Sequence, residues 1–298
     1  MDKLPYIVDA HHHLWDLEAC RHTWLAERGV VRFFGDPAPI RKNYHVGDLR
    51  ADFGALPVKK SVHIQVGVEA DDSLNETAWL QSQSNQYELP TAIIPFCDLT
   101  LESVSDDLDA HAAHVAVRGV RQIIGRSAEE DRKTGSSGLL NEPRFKRGLK
   151  ALAEKGLSFD LQLTPPLMQS AASVFSDVPD LKVAVCHCGS LSAFDPESIS
   201  EWKQGLQALA ALPNLICKIS GFGMFDHGWT QDSIAALVHR VIEIFSPERC
   251  AFGSNFPVDK LYASYEETMG AYLKICETYA PEERDAMFRT VAETFYKI

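Results

Sequence analysis

The sequence predicts an α/β fold, a (β/α)8 TIM barrel that is distorted by a long irregular loop after its first strand. Two observations predict it: short apolar runs recur along the chain, and helix-like stretches separate them. Strands that alternate with helices form parallel sheets, and eight such units close into a barrel. An open doubly wound sheet is the main competitor. Its nucleotide-binding form would have a glycine-rich turn after the first strand, where this chain has three histidines.

Eight apolar runs are assigned to strands in chain order, at residues 6–10, 61–66, 92–97, 116–123, 158–163, 182–186, 215–220 and 250–253. Helix-like segments lie between or after them, at 75–88, 104–114, 141–155, 166–174, 198–211, 231–245 and 265–279. The region 15–52 is long, contains prolines and is irregular, which is typical of a functional loop. No internal repeat or low-complexity linker interrupts the chain, so we expect a single domain over residues 1–298.

Composition restricts the class of protein. Apolar residues make up 45% of the chain and charged residues 23%, as in soluble globular proteins. The net charge of −12 argues against binding to nucleic acid or to an anionic membrane surface. The sequence shows no signal-peptide pattern and no apolar run of membrane-spanning length. Seven scattered cysteines are typical of free thiols in a reducing cytoplasm. We expect a cytoplasmic protein with a small-molecule substrate, and a homo-oligomer is left open.

Three consecutive histidines at the end of the first strand form the most informative feature of the chain. Residues two apart on a strand share a face, so His11 and His13 project together and His12 projects to the other side. Two imidazoles at that spacing can bind one metal ion or one substrate oxyanion. The alternative interpretation is a polar strand end with incidental histidines.

Polar side chains also end the other predicted strands, where barrels of this type carry their chemistry. Arg118 and Arg121 have opposite parity on strand 4, so one of them points inward, and we expect it to be Arg121. The other candidates are His63 and Gln65 on strand 2, Gln122 after strand 4, Asp160 and Gln162 on strand 5, His187 after strand 6, Lys218 and Ser220 on strand 7, and Asn255 after strand 8. For most of these residues, a hydrogen-bonded structural role is an equal alternative.

Two short motifs are ambiguous. The run Cys186-His187-Cys188 suggests a soft metal site, but alternation turns the thiols away from His187, which favours buried structural cysteines. The run from Met224 to Trp229 follows strand 7 and is typical of an active-site loop. Within it, Asp226 either orients a histidine or caps a turn, and His227 is a further acid–base candidate.

Seven stretches carry a more specific signal: DAHHHLWD at 9–16, VRGVRQ at 117–122, GLSFDLQ at 156–162, His187 in its strand-to-loop turn, KISGFGM at 218–224, FGSNFPVD at 252–259 and FYKI at 295–298. Together they resemble the sugar-lactonase-like branch of the amidohydrolase-related TIM-barrel hydrolases, over nearly the whole chain. The resemblance implies hydrolysis of lactones of sugar acids or of aromatic-degradation intermediates. It also implies one divalent metal in some members and none in others.

The resemblance carries over unevenly. His11 and His13 match the family's strand-1 pair and His187 its strand-6 histidine, which makes these three the implied metal ligands. Asn255 stands where many relatives have an aspartate that binds metal and activates water. An amide is neutral and cannot act as a base near pH 7. A zinc or manganese ion is therefore expected to bind weakly or not at all. Residues 164–167 also lack the histidine that near relatives often carry after strand 5.

Taken together, these residues predict a hydrolase that opens a lactone or a similar cyclic ester. The three matched histidines would polarise the carbonyl, through a metal or by direct hydrogen bonds. Arg121 would bind a carboxylate, and the remaining substrate contacts are assigned to Gln65, Gln162, Ser220 and Lys218. The base is left open among His187, His227 and Asp226, with a fourth possibility that Asn255 positions a water which a histidine deprotonates.

Two alternatives stand beside this interpretation. A decarboxylase or hydratase would use the same scaffold, because the fold does not determine the chemistry. A non-catalytic barrel that binds a small acid is the other, and Asn255 is its best support because the position lacks a carboxylate.

Overall fold

Eight parallel strands form the centre of the structure, a computed structural model that describes residues 4–298. They are β1 (Ile7–His12), β2 (Val58–Ile64), β3 (Ala92–Ile94), β4 (Gly119–Val120), β5 (Ser158–Leu161), β6 (Val183–Val185), β7 (Leu215–Ile219) and β8 (Cys250–Phe252). Each overlaps one of the predicted apolar runs. All six residues of β1 are buried, as expected for a barrel strand that is covered on both faces.

The strands close into a ring. Parallel pairing runs β1-β2-β3 and, separately, β4-β5-β6-β7-β8, and a single bridge between Ile93 and Val117 joins the two groups. At the other seam, the amide of Asn255 donates to the carbonyl of His11 and the amide of His13 donates to the carbonyl of Phe256, both at 2.7 Å. The predicted (β/α)8 barrel is confirmed, and its distortion lies at the thin β3–β4 seam.

Glycine at position 253 allows the second seam to form. A Cβ atom at Gly253 would lie 2.6 Å from the Cβ atom of His11, closer than real side chains approach one another. The absence of a side chain therefore lets the chain after β8 pack directly against the strand that carries the first histidines.

Helices surround the barrel. They are α1 (Thr23–Ala26), α2 (Val46–Asp52), α3 (Ser73–Tyr87), α4 (Val104–Ala112), α5 (Ala128–Thr134), α6 (Pro143–Glu154), α7 (Met168–Ser176), α8 (Pro196–Ala210), α9 (Gln231–Phe245), α10 (Tyr265–Ile275), α11 (Pro281–Asp285) and α12 (Val291–Tyr296). Every predicted helix overlaps one of these. Within residues 4–298, no helix is both long and apolar enough to span a membrane.

The region between β1 and β2 is ordered. Trp15 and Tyr44 exchange backbone hydrogen bonds of 3.1 and 3.0 Å, and the indole nitrogen of Trp15 donates to the carbonyl of Lys42 at 2.7 Å. These contacts fasten both ends of the segment, so its middle part, which includes α1, is held over the C-terminal mouth of the barrel.

A buried acid of α3 lies beside this segment. The Nε2 atom of His22 lies 3.7 Å from Oε1 of Glu76, and both side chains are almost fully buried. Within residues 4–298, neither oxygen of Glu76 has a hydrogen-bond partner. Burial raises the pKa of Glu76 to about 8 and lowers the pKa of His22 to about 4. Between these values both groups are uncharged.

We expect Glu76→Gln to stabilise the protein near neutral pH. The folded-state pKa of Glu76 is raised from 4.5 to about 8, so folding retains a proton that the unfolded chain releases, and stability falls as pH rises through that window. At about 1.4 kcal/mol per pH unit, the wild type should lose roughly 3 kcal/mol between about pH 5.5 and 7.5. The loss of unfolding free energy in the glutamine variant should be smaller by that amount. Urea unfolding at the two pH values measures the difference, and parallel losses in both proteins would contradict the assignment.

Candidate active site

A cavity of about 170 Å³ opens at the C-terminal mouth of the barrel. Polar side chains from the strand ends line its floor: His13, Arg121, Gln162, His187 and Asn255. Side chains from the surrounding loops form its apolar wall and its charged rim: Trp24, Phe33, Phe34, Val66, Ile123, Met224 and Val258 in the wall, and Arg32, Glu69 and Arg126 at the rim. The cavity therefore combines convergent polar groups with an apolar wall, the usual composition of a small-molecule site.

The three predicted histidines come together beneath this cavity. The ring centroid of His11 lies 5.1 Å from that of His13 and 4.4 Å from that of His187. A shift in the β1–β2 register between Asp9 and His12 accompanies this arrangement. Burial lowers the pKa of all three imidazoles well below the usual value, and the positive charge of Arg121 lowers each of them further. The cluster is therefore neutral near pH 7.

The hydrogen bonds of His13 determine its tautomer. Its Nδ1 atom lies 2.7 Å from the carbonyl oxygen of Ile64, which can only accept, so Nδ1 carries the hydrogen. Its Nε2 atom lies 3.1 Å from Oδ1 of Asn255, whose Nδ2 donates to Oδ1 of Asp259 at 2.9 Å. In neutral His13, Nε2 is an acceptor. Two acceptor atoms therefore face one another beside the cavity, and together they can share one hydrogen of a water molecule.

Asp259 is an unusual partner for an amide. It is almost fully buried, and burial raises its pKa to about 7, partly offset by hydrogen bonds from Asn255 and from the backbone of Gly223. When ionised, its carboxylate places a negative charge next to the amide of Asn255, on the side away from His13. That charge is available to stabilise positive charge on His13.

His187 is held from its other side. Its Nδ1 atom lies 3.0 Å from the hydroxyl oxygen of Ser220, which leaves Nε2 free toward the cavity. A Cβ atom at Gly221 would lie 2.6 Å from Nδ1 of His187, so this position must be glycine for the ring to fit. His187 and Asn255 both adopt left-handed backbone conformations, with φ of 53° and 58°. Strain of this kind at non-glycine residues is concentrated at functional sites.

The parity argument for strand 4 agrees with the structure. Arg121 is buried and lines the cavity, and its Nη1 donates to Oε1 of Gln162 at 2.8 Å. A second hydrogen bond joins its Nη2 to the backbone carbonyl of Gln65. Arg118 instead donates to backbone carbonyls at the opposite end of the barrel, including that of Val115.

Several predicted substrate contacts lie away from the cavity. The side chain of Gln65 donates to the carbonyl of Arg121 at 3.2 Å and accepts from the amide of Gly67 at 2.7 Å, so it braces the backbone. Lys218 is fully buried and forms an ion pair with Asp160. Ser220 reaches His187 and not the cavity, while Gln162 does line it.

The two loop candidates lie at the rim. Asp226 accepts a hydrogen bond from the backbone amide of Gly228 at 3.1 Å, as a turn residue does. The ring of His227 is exposed and stacks on that of Tyr262 with centroids 4.0 Å apart. Neither side chain lines the cavity.

Other polar groups near the strand ends have structural partners. Nε2 of His12 lies 2.9 Å from the hydroxyl of Ser61, and Nδ1 of His63 accepts from the amide of Leu14 at 3.0 Å. Cys186 and Cys188 are buried thiols beside oxygen atoms of Asp160 and Lys218, at 3.8 and 3.7 Å. Burial raises the pKa of Cys186 to about 11, so this thiol stays protonated.

The cavity or site residues that were not identified as candidates from the sequence include Trp24, Arg32, Arg126 and Asp259. The first two belong to the region 15–52, which has no regular period from which to assign a face. Arg126 lies beyond the end of strand 4, where parity no longer applies. Asp259 lies within the matched stretch 252–259, and its place four residues after Asn255 was the one available signal.

A tightly bound metal ion would need a different set of ligands from the imidazole and amide groups at this cavity. Both ring nitrogens of His11 are buried and have no hydrogen-bond partner among the described residues, which is consistent with a ligand. However, within residues 4–298 no group of three or more His, Cys, Asp or Glu side chains is arranged to hold a metal ion. The donors at the cavity are neutral imidazoles and one amide, with no carboxylate to balance a dication. This donor set does not fit a tightly bound metal.

Comparisons with known proteins agree with this architecture. A family model described as amidohydrolase matches residues 8–298. The uncharacterized protein y4mH of Sinorhizobium fredii is 36% identical, with 98% of each chain covered. The L-fucono-1,5-lactonase of Burkholderia ambifaria is 23% identical, with 99% of this chain and 97% of the relative covered. The crystal structure of an amidohydrolase from Burkholderia multivorans with bound zinc is similar at a TM-score of 0.83 and 21% identity, with 98% of this chain and 99% of that chain covered.

Proposed function

The chain belongs to the amidohydrolase family, and from that premise we propose that it is a lactonase, a hydrolase that opens the cyclic ester of a carboxylic acid. Similarity to an L-fucono-1,5-lactonase along almost the whole chain supports this reaction class. The cavity supports it independently, because it holds an acceptor pair for water and cationic groups for an acid. We further propose that residues 1–298 act as one domain in the cytoplasm.

One observation carries the proposal: the acceptor pair formed by Nε2 of His13 and Oδ1 of Asn255, 3.1 Å apart. A water that donates one hydrogen to both atoms, as a bifurcated hydrogen bond, is held with its oxygen lone pair toward the cavity. His13 accepts the proton as this oxygen attacks the lactone carbonyl carbon. Asn255 then accepts a hydrogen bond from the protonated Nε2, and the carboxylate of Asp259 behind it offsets the new positive charge.

His187 and Arg121 act on the carbonyl side. With the hydroxyl of Ser220 donating to Nδ1, Nε2 of His187 carries the hydrogen and can donate it to the developing oxyanion. Collapse of the tetrahedral intermediate breaks the ring C–O bond, and the ring oxygen takes the proton from His13. The product is a hydroxy acid, and Arg121 binds a carboxylate through its unused N–H groups.

A divalent metal is not given a step in this mechanism. An amidohydrolase of the same fold from Burkholderia multivorans contains zinc, and zinc or manganese is the ion expected for this family. In this chain the neutral donors at His13, His187 and Asn255 favour weak binding or none. The histidines themselves therefore carry the proton transfer.

A hydrolysis screen tests the proposal. Protein purified without added metal, with its metal content measured, is incubated with sugar-acid lactones and with unsaturated lactones related to muconate, and ring opening is followed by acid release. We expect turnover of at least one lactone class in the presence of a chelator. Turnover of none, together with decarboxylation of an aromatic acid, would favour the decarboxylase alternative. Binding without any turnover would favour the non-catalytic one.

A further inference from the structure

A buried carboxylate lies at the seam between β1 and β8. Asp9 is fully buried and faces the helix layer, where its Oδ2 accepts from the hydroxyl of Tyr265 on α10 at 3.0 Å. The same oxygen accepts from the hydroxyl of Ser254 at 2.6 Å, and Oδ1 accepts from the backbone amides of Ser254 and His11 at 2.9 and 3.1 Å. Each carboxylate oxygen therefore accepts two hydrogen bonds, which is the full capacity of the group.

One of these donors belongs to an irregularity of β1. Between Asp9 and His12 the strand advances three residues while β2 advances two, from Ser61 to His63, so β1 contains a β-bulge. Strict alternation would place His11 on the face of Asp9, toward the helices. The extra residue instead turns the ring of His11 toward the other two histidines of the cluster. Asp9 stabilises this bulge, because it accepts the hydrogen bond of the His11 amide.

The other donors order the turn that carries Asn255. The hydroxyl of Ser254 donates to Asp9 and accepts from the amide of Phe256 at 3.1 Å. Asn255 lies between these two residues in a left-handed conformation, with φ of 58°, which costs free energy and needs support from its neighbours. One carboxylate is thus bonded on both sides of the acceptor pair, to the strand that leads to His13 and to the turn that presents Asn255.

We propose that Asp9 is a positioning residue for hydrolysis: it fixes the β1 bulge against the turn after β8 and so sets the distance between Nε2 of His13 and Oδ1 of Asn255. This inference rests on the proposed lactonase function and deepens it, because it identifies what holds the pair that binds water. A shift of about 1 Å in a reacting group can cost a factor of roughly 100 in rate. Asp9 does not line the cavity, so its loss should lower kcat and leave KM almost unchanged.

A double-mutant cycle on the full-length protein separates positioning from general stability. Asp9→Ala should lower kcat for the best lactone about a hundredfold in the wild-type background. The factor should be roughly threefold or less when Asn255 is already alanine, because the pair that Asp9 positions is then absent. Asp9→Asn should recover much of the loss, since its oxygen can still accept from the two amides and its nitrogen faces hydroxyls that can turn to accept. Equal factors in both backgrounds would overturn the inference.

Tyr265→Phe takes the place of Asp9→Ala if that variant does not fold. It removes one of the four donors, so kcat should fall by about threefold to tenfold in the wild-type background and by less in Asn255→Ala. Tyr44→Phe is the matched control, because it removes the hydrogen bond of another buried tyrosine to a carboxylate, that of Asp52 at 2.7 Å, away from the seam. It should leave kcat unchanged. Equal losses in the two tyrosine variants would contradict a positioning role.

The tautomer of His13 gives a test that needs no turnover. In NMR of histidine-labelled protein, the signals of His13 are assigned by their absence in His13→Gln. The wild type and Tyr44→Phe should show one tautomer, with the hydrogen on Nδ1, as the bond to Ile64 requires. Asp9→Ala should show a mixture, because a shift of β1 against β2 loosens that bond. An unchanged tautomer in Asp9→Ala would refute the inference, whatever the lactone screen finds. The expected mixture, together with no lactone turnover in the wild type, would refute the proposed function alone.

Discussion

Replacing His13 by glutamine should lower kcat for lactone hydrolysis by a factor of roughly 10²–10⁴, the usual contribution of a general base. Glutamine can still hydrogen-bond to the carbonyl of Ile64 or to Asn255, so the fold and the binding of substrate by Arg121 should persist. KM should therefore change much less than kcat. Steady-state kinetics on the best lactone from the screen, with an unfolding curve for the variant, measures both effects.

His227→Gln provides the opposing test. His227 was an equal candidate for the base on sequence grounds, yet its ring is exposed and stacks on Tyr262 at the rim. We expect this variant to keep kcat within about twofold, because surface substitutions have small effects on structure. If the large loss appears in His227→Gln and not in His13→Gln, the loop histidine is the base and the acceptor pair at Asn255 has another role.

The barrel was predictable from the sequence because its evidence is local and repeated. Most strands are short apolar runs buried on both faces, and each helix follows within one connection, so an error in one element leaves the pattern of eight intact. The boundaries were less accurate for β4, where the apolar run 116–123 gives a strand of two residues, Gly119–Val120. On both sides of these two residues, the backbone forms hydrogen bonds that lie outside the regular strand pairing.

The site was predictable only where a simple geometric rule applies. Alternation along a strand correctly separates His11 and His13 from His12, and Arg121 from Arg118. Alternation does not predict how far a side chain reaches, or whether its polar atoms already have hydrogen-bond or ion-pair partners. Gln65 and Lys218 have inward positions at strand ends, yet their polar groups are used by Gly67 and Asp160, and they do not reach the cavity.

Contacts between distant segments were outside the reach of the sequence. The pairing of Arg32 with Glu130 joins residues 98 positions apart. The aromatic wall depends on the course of the irregular region 15–52, where no periodicity fixes the direction of a side chain. Both features bear on which lactone the protein would accept, which is why the sequence indicates a reaction class and leaves the substrate open.

Asn255 and Asp259 together show how a carboxylate can stand near the site without lying directly beside His13. The amide places a neutral acceptor beside His13, and the carboxylate stands behind it at 2.9 Å from Nδ2. A dication beside the amide would meet the carboxylate only through that intervening group, so its charge would be poorly balanced. A proton on His13 needs less compensation, because the imidazolium is a single charge.

Asn255→Asp should therefore raise the affinity for zinc by at least tenfold, which corresponds to about 1.4 kcal/mol. The new carboxylate at position 255 would lie directly beside His13 and next to Asp259. Two carboxylates in contact repel one another when both are ionised, and a bound cation relieves that repulsion. The left-handed backbone at this position, with φ of 58°, is one that aspartate tolerates. Equilibrium dialysis against zinc at controlled concentration, with metal analysis of both proteins, measures the change.

Asn141→Asp is the control, since it adds the same charge at an exposed position remote from the cavity in the sequence. It should leave zinc affinity unchanged, which separates a local ligand effect from a general electrostatic one. The prediction for the wild type is equally definite: its activity should survive a chelator. A wild-type protein that carries one zinc per chain, and loses turnover when that zinc is removed, would show that neutral imidazoles and an amide suffice to hold the ion. In that case the acceptor pair of His13 and Asn255 would be a pair of ligands, and the attacking water would be activated by the metal.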